Sequence, residues 1–156
     1  MDHAQLLSAF REKGVLHLRE GNGKVITIMR PELWNPEMGE NWTFLLFDLF
    51  QIRTICEPFS EVSLDIVEYA NKPTIYHSLA NRINKDGPMV DGVLKFSLIL
   101  EPNWNKLLFQ ISQPVLVNLN SKESTTHQTP LLFPLLSPGT KEMYLGPEGE
   151  VKIIKG

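Results

Sequence analysis

Apolar and polar positions alternate along several stretches of the chain. Val62, Leu64 and Ile66 alternate with Ser63 and Asp65, and Leu94, Phe96, Leu98 and Leu100 alternate with Lys95 and Ser97. A period of two places one set of side chains on a core and the other in water, which predicts strands over 61–69 and 92–101. Val15–Arg19 and Lys24–Met29 flank Glu20-Gly21-Asn22-Gly23. Asn-Gly accepts positive φ at both positions, so this segment predicts a hairpin. Leu107–Ile111 and Val115–Leu119 read as further strands around Pro114, whose missing N–H implies a sheet edge or a bulge. Met143–Leu145 and Glu150–Ile154, on either side of Gly146-Pro147-Glu148-Gly149, predict a terminal hairpin. Thr43–Cys56 is apolar almost throughout. Strand and helix both fit it, and its aromatic and β-branched content tilts it to strand.

Two stretches have helical spacing. Leu6, Leu7 and Phe10 share a face over 2–13, with Asp2 and Gln5 spaced as a capping-box variant and Gly14 as the stop. Ile75, Leu79 and Ile83 recur every fourth residue after Pro73, which predicts an amphipathic helix over 73–84. Residues 30–41, with Pro31 and Pro36, read as a loop, and so does the polar run Asn120–Thr129. About seven strands without βαβα alternation predict an α+β fold: a single domain over 1–156, mostly antiparallel β-sheet with two short helices. The core strands are expected at 43–56, 62–69, 93–101 and 107–119.

Composition narrows the classes. With 156 residues, 42% of them hydrophobic, and a formal net charge of −3, the chain can bury a core of its own and is not globally disordered. One cysteine, Cys56, excludes an internal disulfide framework. No apolar run reaches the length of a membrane span, and the first residues lack a basic, apolar leader, so the expected location is cytoplasmic. Residues 31–70 carry one Lys/Arg against eight Asp/Glu, a local −7 between weakly basic flanks. That distribution suits self-association or a basic partner. The acidic balance gives no support for nucleic acid as the main ligand.

Candidate chemistry is sparse. Gly21-Asn22-Gly23-Lys24 lacks the spacing of a phosphate loop, with Leu18 where a glycine and Val25 where a Ser/Thr would stand. His3, His17, His77 and His127 form no metal-ligand pair, so no metal or cofactor is expected. Cys56 with His77, Asp65 with Glu68, and Asp48 with Glu57 are the combinations a hydrolase could use, and nothing in the sequence brings any of them together. Asn41-Trp42-Thr43 matches a glycosylation acceptor and reads as chance in a chain without a leader. The loop 120–129 holds Ser121, Ser124, Thr125 and Thr126, hydroxyls open to modification or to ordering on binding.

Trp34, Trp42 and Trp104 fall near Asn or Pro, outside the expected elements, and Met38 lies between the first two. A large ring desolvates well and its N–H needs a partner, so Trp34, Met38, Trp42 and Trp104 are the expected partner-binding residues. The sequence therefore favours a non-enzymatic protein-interaction or self-assembly module, with a protein partner or a second copy of the chain as its ligand. A small hydrolase whose site forms no motif is the alternative.

One stretch resembles a known family. Val62–Tyr69, Ser78-Leu79-Ala80-Asn81-Arg82-Ile83 and Met89-Val90-Asp91-Gly92-Val93-Leu94-Lys95 are similar to the core of rhabdovirus matrix proteins, a strand running into a short helix and then a glycine-led apolar strand. Asn103-Trp104 with Leu107–Ile111 extends the similarity. The resemblance implies a viral matrix-like structural protein that self-associates and contacts a nucleocapsid and a membrane. The chain departs from that family in lacking its long basic N-terminal arm and its proline-tyrosine motif.

Overall fold

The computed structural model describes residues 3–156. The chain runs α1 (His3–Lys13), β1 (Val15–Arg19), β2 (Val25–Met29), β3 (Thr43–Leu46), α2 (Ile52–Ile55), α3 (Glu61–Glu68), β4 (Thr74–Leu79), β5 (Val93–Leu98), α4 (Pro102–Ile111), β6 (Val115–Asn118), β7 (His127–Gln128), β8 (Lys141–Leu145) and β9 (Val151–Lys155). All nine strands form one sheet in the order β7-β1-β2-β6-β3-β5-β4-β8-β9. The fold is α+β as expected, but the sheet is mixed rather than mostly antiparallel: β1–β7, β3–β5 and β4–β8 are parallel. Four helices replace the expected two.

Alternation along the strands sends side chains to two faces, each with its own core. On one face Leu16, Leu18, Ile26, Ile28, Leu45, Val115 and Val117 pack under α1 and α4, with Trp104, Leu107, Leu108 and Phe133. On the other, Phe44, Leu46, Tyr76, Leu94, Phe96 and Leu116 pack under α2 and α3, with Ile52, Ile55 and Val67. Tyr76 stacks on Phe96 at a centroid distance of 5.2 Å.

Both predicted hairpins form. β1 pairs β2 in the register Arg19↔Val25, closed by the Glu20–Lys24 turn. Buried Glu20 organises that turn, its Oε1 accepting from the N–H groups of Asn22 and Lys24 at 2.8 and 3.1 Å. The Asp2 cap expected for α1 lies outside the described residues.

Five expectations are corrected. Residues 43–56 split into β3 and α2, because the Asp48 side chain accepts from Gln51 N–H and starts a helical turn. Residues 61–68 are helix, not the strand expected over 61–69: the Ser60 side chain accepts from Ser63 N–H as an N-cap, and Ser63 and Val67, one turn apart, are buried. Residues 74–79 are strand, not helix, held between β5 and β8 on both edges. Residues 102–111 are helix, with Pro102 in its first turn, Glu101 accepting from Trp104 N–H, and Ser112 left-handed at the end. Pro114 precedes β6 without making it an edge strand, since β6 lies between β2 and β3.

Candidate functional site

The helices leave one part of the sheet bare. α2 and α3 cover β3, β4 and β5 on their face, while over β1, β2 and β6 that same face carries Val15, His17, Thr27, Met29 and Asn118 and no helix. Two loops wall this strip into a groove of ≈ 550 Å³. Leu33, Met38 and Trp42 form one wall, and Asn120, Ser121, Lys122 and Glu123 form the other.

The first wall is a loop folded on its own tryptophans. Trp34 Nε1 donates to the Gly39 carbonyl at 2.9 Å, and Trp42 Nε1 donates to the Met38 carbonyl at 3.3 Å. Gly39 at φ +80 supplies the left-handed turn this return requires. Asn35 accepts from Glu37 N–H and caps the short turn Pro36–Met38. Trp42 is buried with its edge on the groove, Trp34 is half-buried behind the loop, and Met38 is exposed at the rim.

The floor holds a chain of polar groups across three elements. His17 and Thr27 are opposite residues of the hairpin, and His17 Nδ1 lies 2.8 Å from Thr27 Oγ1. Thr27 Oγ1 donates to Ser121 Oγ at 2.7 Å. Ser121 Oγ also accepts from Glu123 N–H at 3.2 Å. His17 Nε2 and the Ser121 hydroxyl proton are then available to a ligand in the groove, with Lys122 at its mouth.

Of the residues expected to bind a partner, Trp42 and Met38 meet at this groove and Trp34 braces the loop behind them. Trp104 does not join them. It lies within α4 rather than in a loop, is 1% exposed, donates from Nε1 to the Leu132 carbonyl at 2.9 Å, and packs edge-on against Phe133 in the opposite core. His17, Thr27 and Ser121 were missed as a group. The five-residue Glu20–Lys24 turn sets His17 opposite Thr27, one residue off the register of a two-residue Asn-Gly turn, and nothing in the sequence signals the β2–β6 pairing that delivers Ser121.

The other candidate chemistry is dispersed. Cys56 is fully buried, and burial pushes its thiol up to about 12, against a smaller lowering by the Ser78 hydroxyl, so it stays protonated. His77 lies on β4, with Nε2 2.6 Å from Glu142 Oε2. Asp48 caps a turn, and Asp65 and Glu68 are exposed on α3. Among the described residues no group of three or more His, Cys, Asp or Glu is placed to hold a metal ion, and no helix is long and apolar enough to cross a membrane.

A second concavity of ≈ 480 Å³ lies beyond Trp42, lined by Glu40, Asn41, His77 and Lys95 among others. Burial holds the Lys95 ammonium below the usual lysine range, opposed by the nearby Glu142 and Glu40 carboxylates. The folded state therefore binds the Lys95 proton less tightly than the unfolded chain, and stability rises with pH from the depressed value up to the ordinary one. Lys95→Met should raise Tm at neutral pH, with an advantage that shrinks as pH approaches the ordinary lysine range. Thermal melts across that interval check it.

No family model matches the chain, and no curated protein matches it in sequence. The elements behind the matrix-protein resemblance come out as helix then strand, the reverse of the order that suggested it. Among solved structures the chain is similar to full-length HypF in its phosphate- and nucleotide-bound form, with a TM-score of 0.69 and 11% identity over 98% of this chain. The chain spans 28% of that protein's length, and at this identity the likeness is one of fold.

Proposed function

We propose that this chain is a binding module and that the groove over β1, β2 and β6 takes a small ligand of the nucleotide class. The observation that carries the reading is the hydrogen-bonded chain His17–Thr27–Ser121, set beside an apolar wall on a strip of sheet over which, among the described residues, no α-helix packs. A concavity of several hundred Å³ with an apolar lining and a few convergent polar groups is the form a small-molecule site takes. Leu33 and Met38, with the edge of Trp42, offer an apolar surface for a planar base. His17 Nε2 and the Ser121 hydroxyl offer hydrogen bonds, and Lys122 offers a charge for phosphate. HypF, 28% of which shares the fold, was solved in a phosphate- and nucleotide-bound form.

Calorimetric titration of the full chain with AMP, ADP, ATP and inorganic phosphate tests the reading. At least one nucleotide is expected to bind, and His17→Ala and Thr27→Val are expected to weaken it tenfold or more, about 1.4 kcal/mol, while both variants still melt cooperatively. If no nucleotide gives heat, or if both variants bind as the parent does, the groove is not a nucleotide site. Met38→Ser separates the two halves of the site. It should weaken nucleotides while leaving any binding of inorganic phosphate unchanged.

A further inference from the structure

Lys95 stands half-buried on β5, in the wall of the ≈ 480 Å³ concavity beyond Trp42. The sheet sets what surrounds it. β4 places His77 directly opposite Lys95, so the two side chains are neighbours on one face. β8 pairs the other side of β4 and brings Glu142, whose Oε2 lies 2.6 Å from His77 Nε2. Among the described residues that contact is the one ion pair, and the Lys95 ammonium has no carboxylate within ion-pair distance. Its Nζ donates to Asn41 Oδ1 at 3.4 Å, a long and weak bond. The rest of the wall, Trp42, Pro88, Val90, Val93 and Leu94, is apolar.

A lysine in water is a solvated cation and a poor nucleophile, and an apolar setting favours its neutral amine. Lys95 has that setting, and burial already holds its ammonium below the usual lysine range against the opposing Glu142 and Glu40 carboxylates. We propose that this concavity is a site of its own, in which the Lys95 amine captures an uncharged aldehyde with an apolar or aromatic body as an imine. It shares only Trp42 with the groove over β1, β2 and β6, so it stands apart from the nucleotide reading. The amine nitrogen attacks the carbonyl carbon, the C=O π pair moves to oxygen, and a proton passes from nitrogen to that oxygen to give a carbinolamine. His77, as imidazolium, protonates the hydroxyl. The C–O bond breaks, water leaves, the nitrogen lone pair closes the C=N bond, and the last nitrogen proton returns to His77. One amine and one aldehyde give one imine and one water. Glu142 holds the ring through Nε2, which leaves Nδ1 to exchange the proton. The apolar wall shelters a hydrocarbon body, and Glu40 and Glu142 repel a carbonyl compound that carries a carboxylate.

Reductive trapping of the full chain with benzaldehyde and saturating cyanoborohydride, read by peptide mass mapping, tests the proposal. The reductant fixes the imine as a benzylamine and takes no part in forming it. Lys95 should be labelled about tenfold faster than the exposed Lys152, because the bound aldehyde is held beside it. Its rate should saturate with benzaldehyde concentration, and that of Lys152 should stay linear. Glyoxylate, an aldehyde with a carboxylate, should show less preference for Lys95 over Lys152 than benzaldehyde does. Lys95→Met removes a half-buried charge without removing an ion pair, so the variant should fold, lose the saturating label and keep the rest. His77→Gln should keep the saturation and lower the maximal rate. Labelling of Lys95 no faster than Lys152, or linear in benzaldehyde, overturns the site. A stronger preference for Lys95 with glyoxylate overturns the ligand class, and an unchanged maximal rate in His77→Gln overturns the proton transfer.

Discussion

Replacing Trp104 with alanine is expected to destabilise the protein by about 3–5 kcal/mol, the range for losing a fully buried aromatic ring. The indole is 1% exposed, sits against Phe133 at a centroid distance of 5.0 Å, and joins α4 to the Leu132 segment through its N–H. Deletion leaves a cavity that the sheet below cannot fill, because β-strands fixed in register cannot collapse toward it. It also leaves the Leu132 carbonyl without that partner. Denaturant titration of the variant measures the loss as a lower midpoint at an unchanged slope. Ligand binding in the groove, on the opposite face, should keep its affinity wherever the variant is folded. A Trp104→Ala protein that melts like the parent and loses binding would instead make this ring part of a site, as the sequence suggested.

Gly87→Ala is expected to cost about 2–4 kcal/mol, although it adds only one methyl group. Gly87 is buried with φ +86, a backbone conformation that side chains rarely adopt, and a Cβ there would stand 2.7 Å from Phe44 Cζ. Strain and overlap act together because the Phe44 ring cannot yield: it is 1% exposed and built into the core of its face. Gly23 makes the contrast. It has the same left-handed φ, +86, but nothing lies within 4 Å of an added Cβ. Gly23→Ala should therefore show the conformational cost alone, about 1 kcal/mol. Comparing the two variants by thermal melting separates backbone strain from collision.

What the sequence revealed was what is local. The hairpins β1–β2 and β8–β9 were legible because a few turn residues determine each, and α1 because Gly14 ends it in a left-handed turn. β5 was legible because its alternation has no helical rival. The exchange of helix and strand between 61–68 and 74–79 has a physical source. Val62, Leu64 and Ile66 mimic a strand, yet the Ser60 cap and buried Ser63 and Val67 decide for helix. Ile75 and Leu79 mimic a helix face, yet pairing with two flanking strands overrides that preference. At the site, Met38 and Trp42 were legible as an apolar loop and Trp104 was misplaced with them. The hydroxyl of Ser121 reaches Thr27 across 94 positions of sequence, a separation that no local pattern encodes.

The order of strands in the sheet also bears on how the protein comes to be folded. β2 and β3 follow one another in the chain, yet β6, about seventy residues further on, lies between them, and β3 pairs on its other side with β5. The first hairpin can form within microseconds, but its apolar strands have no lateral neighbour until residues 115–118 arrive. Closing such distant pairs costs chain entropy before it brings any reward, and folds dominated by them form in milliseconds to seconds. On a ribosome, the N-terminal hairpin would emerge and wait, its Thr27–Met29 edge unpaired, until most of the chain had been made. The hairpin thus joins the rest of the sheet only when β6 arrives, and slow translation through residues 30–110 would prolong the period in which an aggregation-prone edge is exposed.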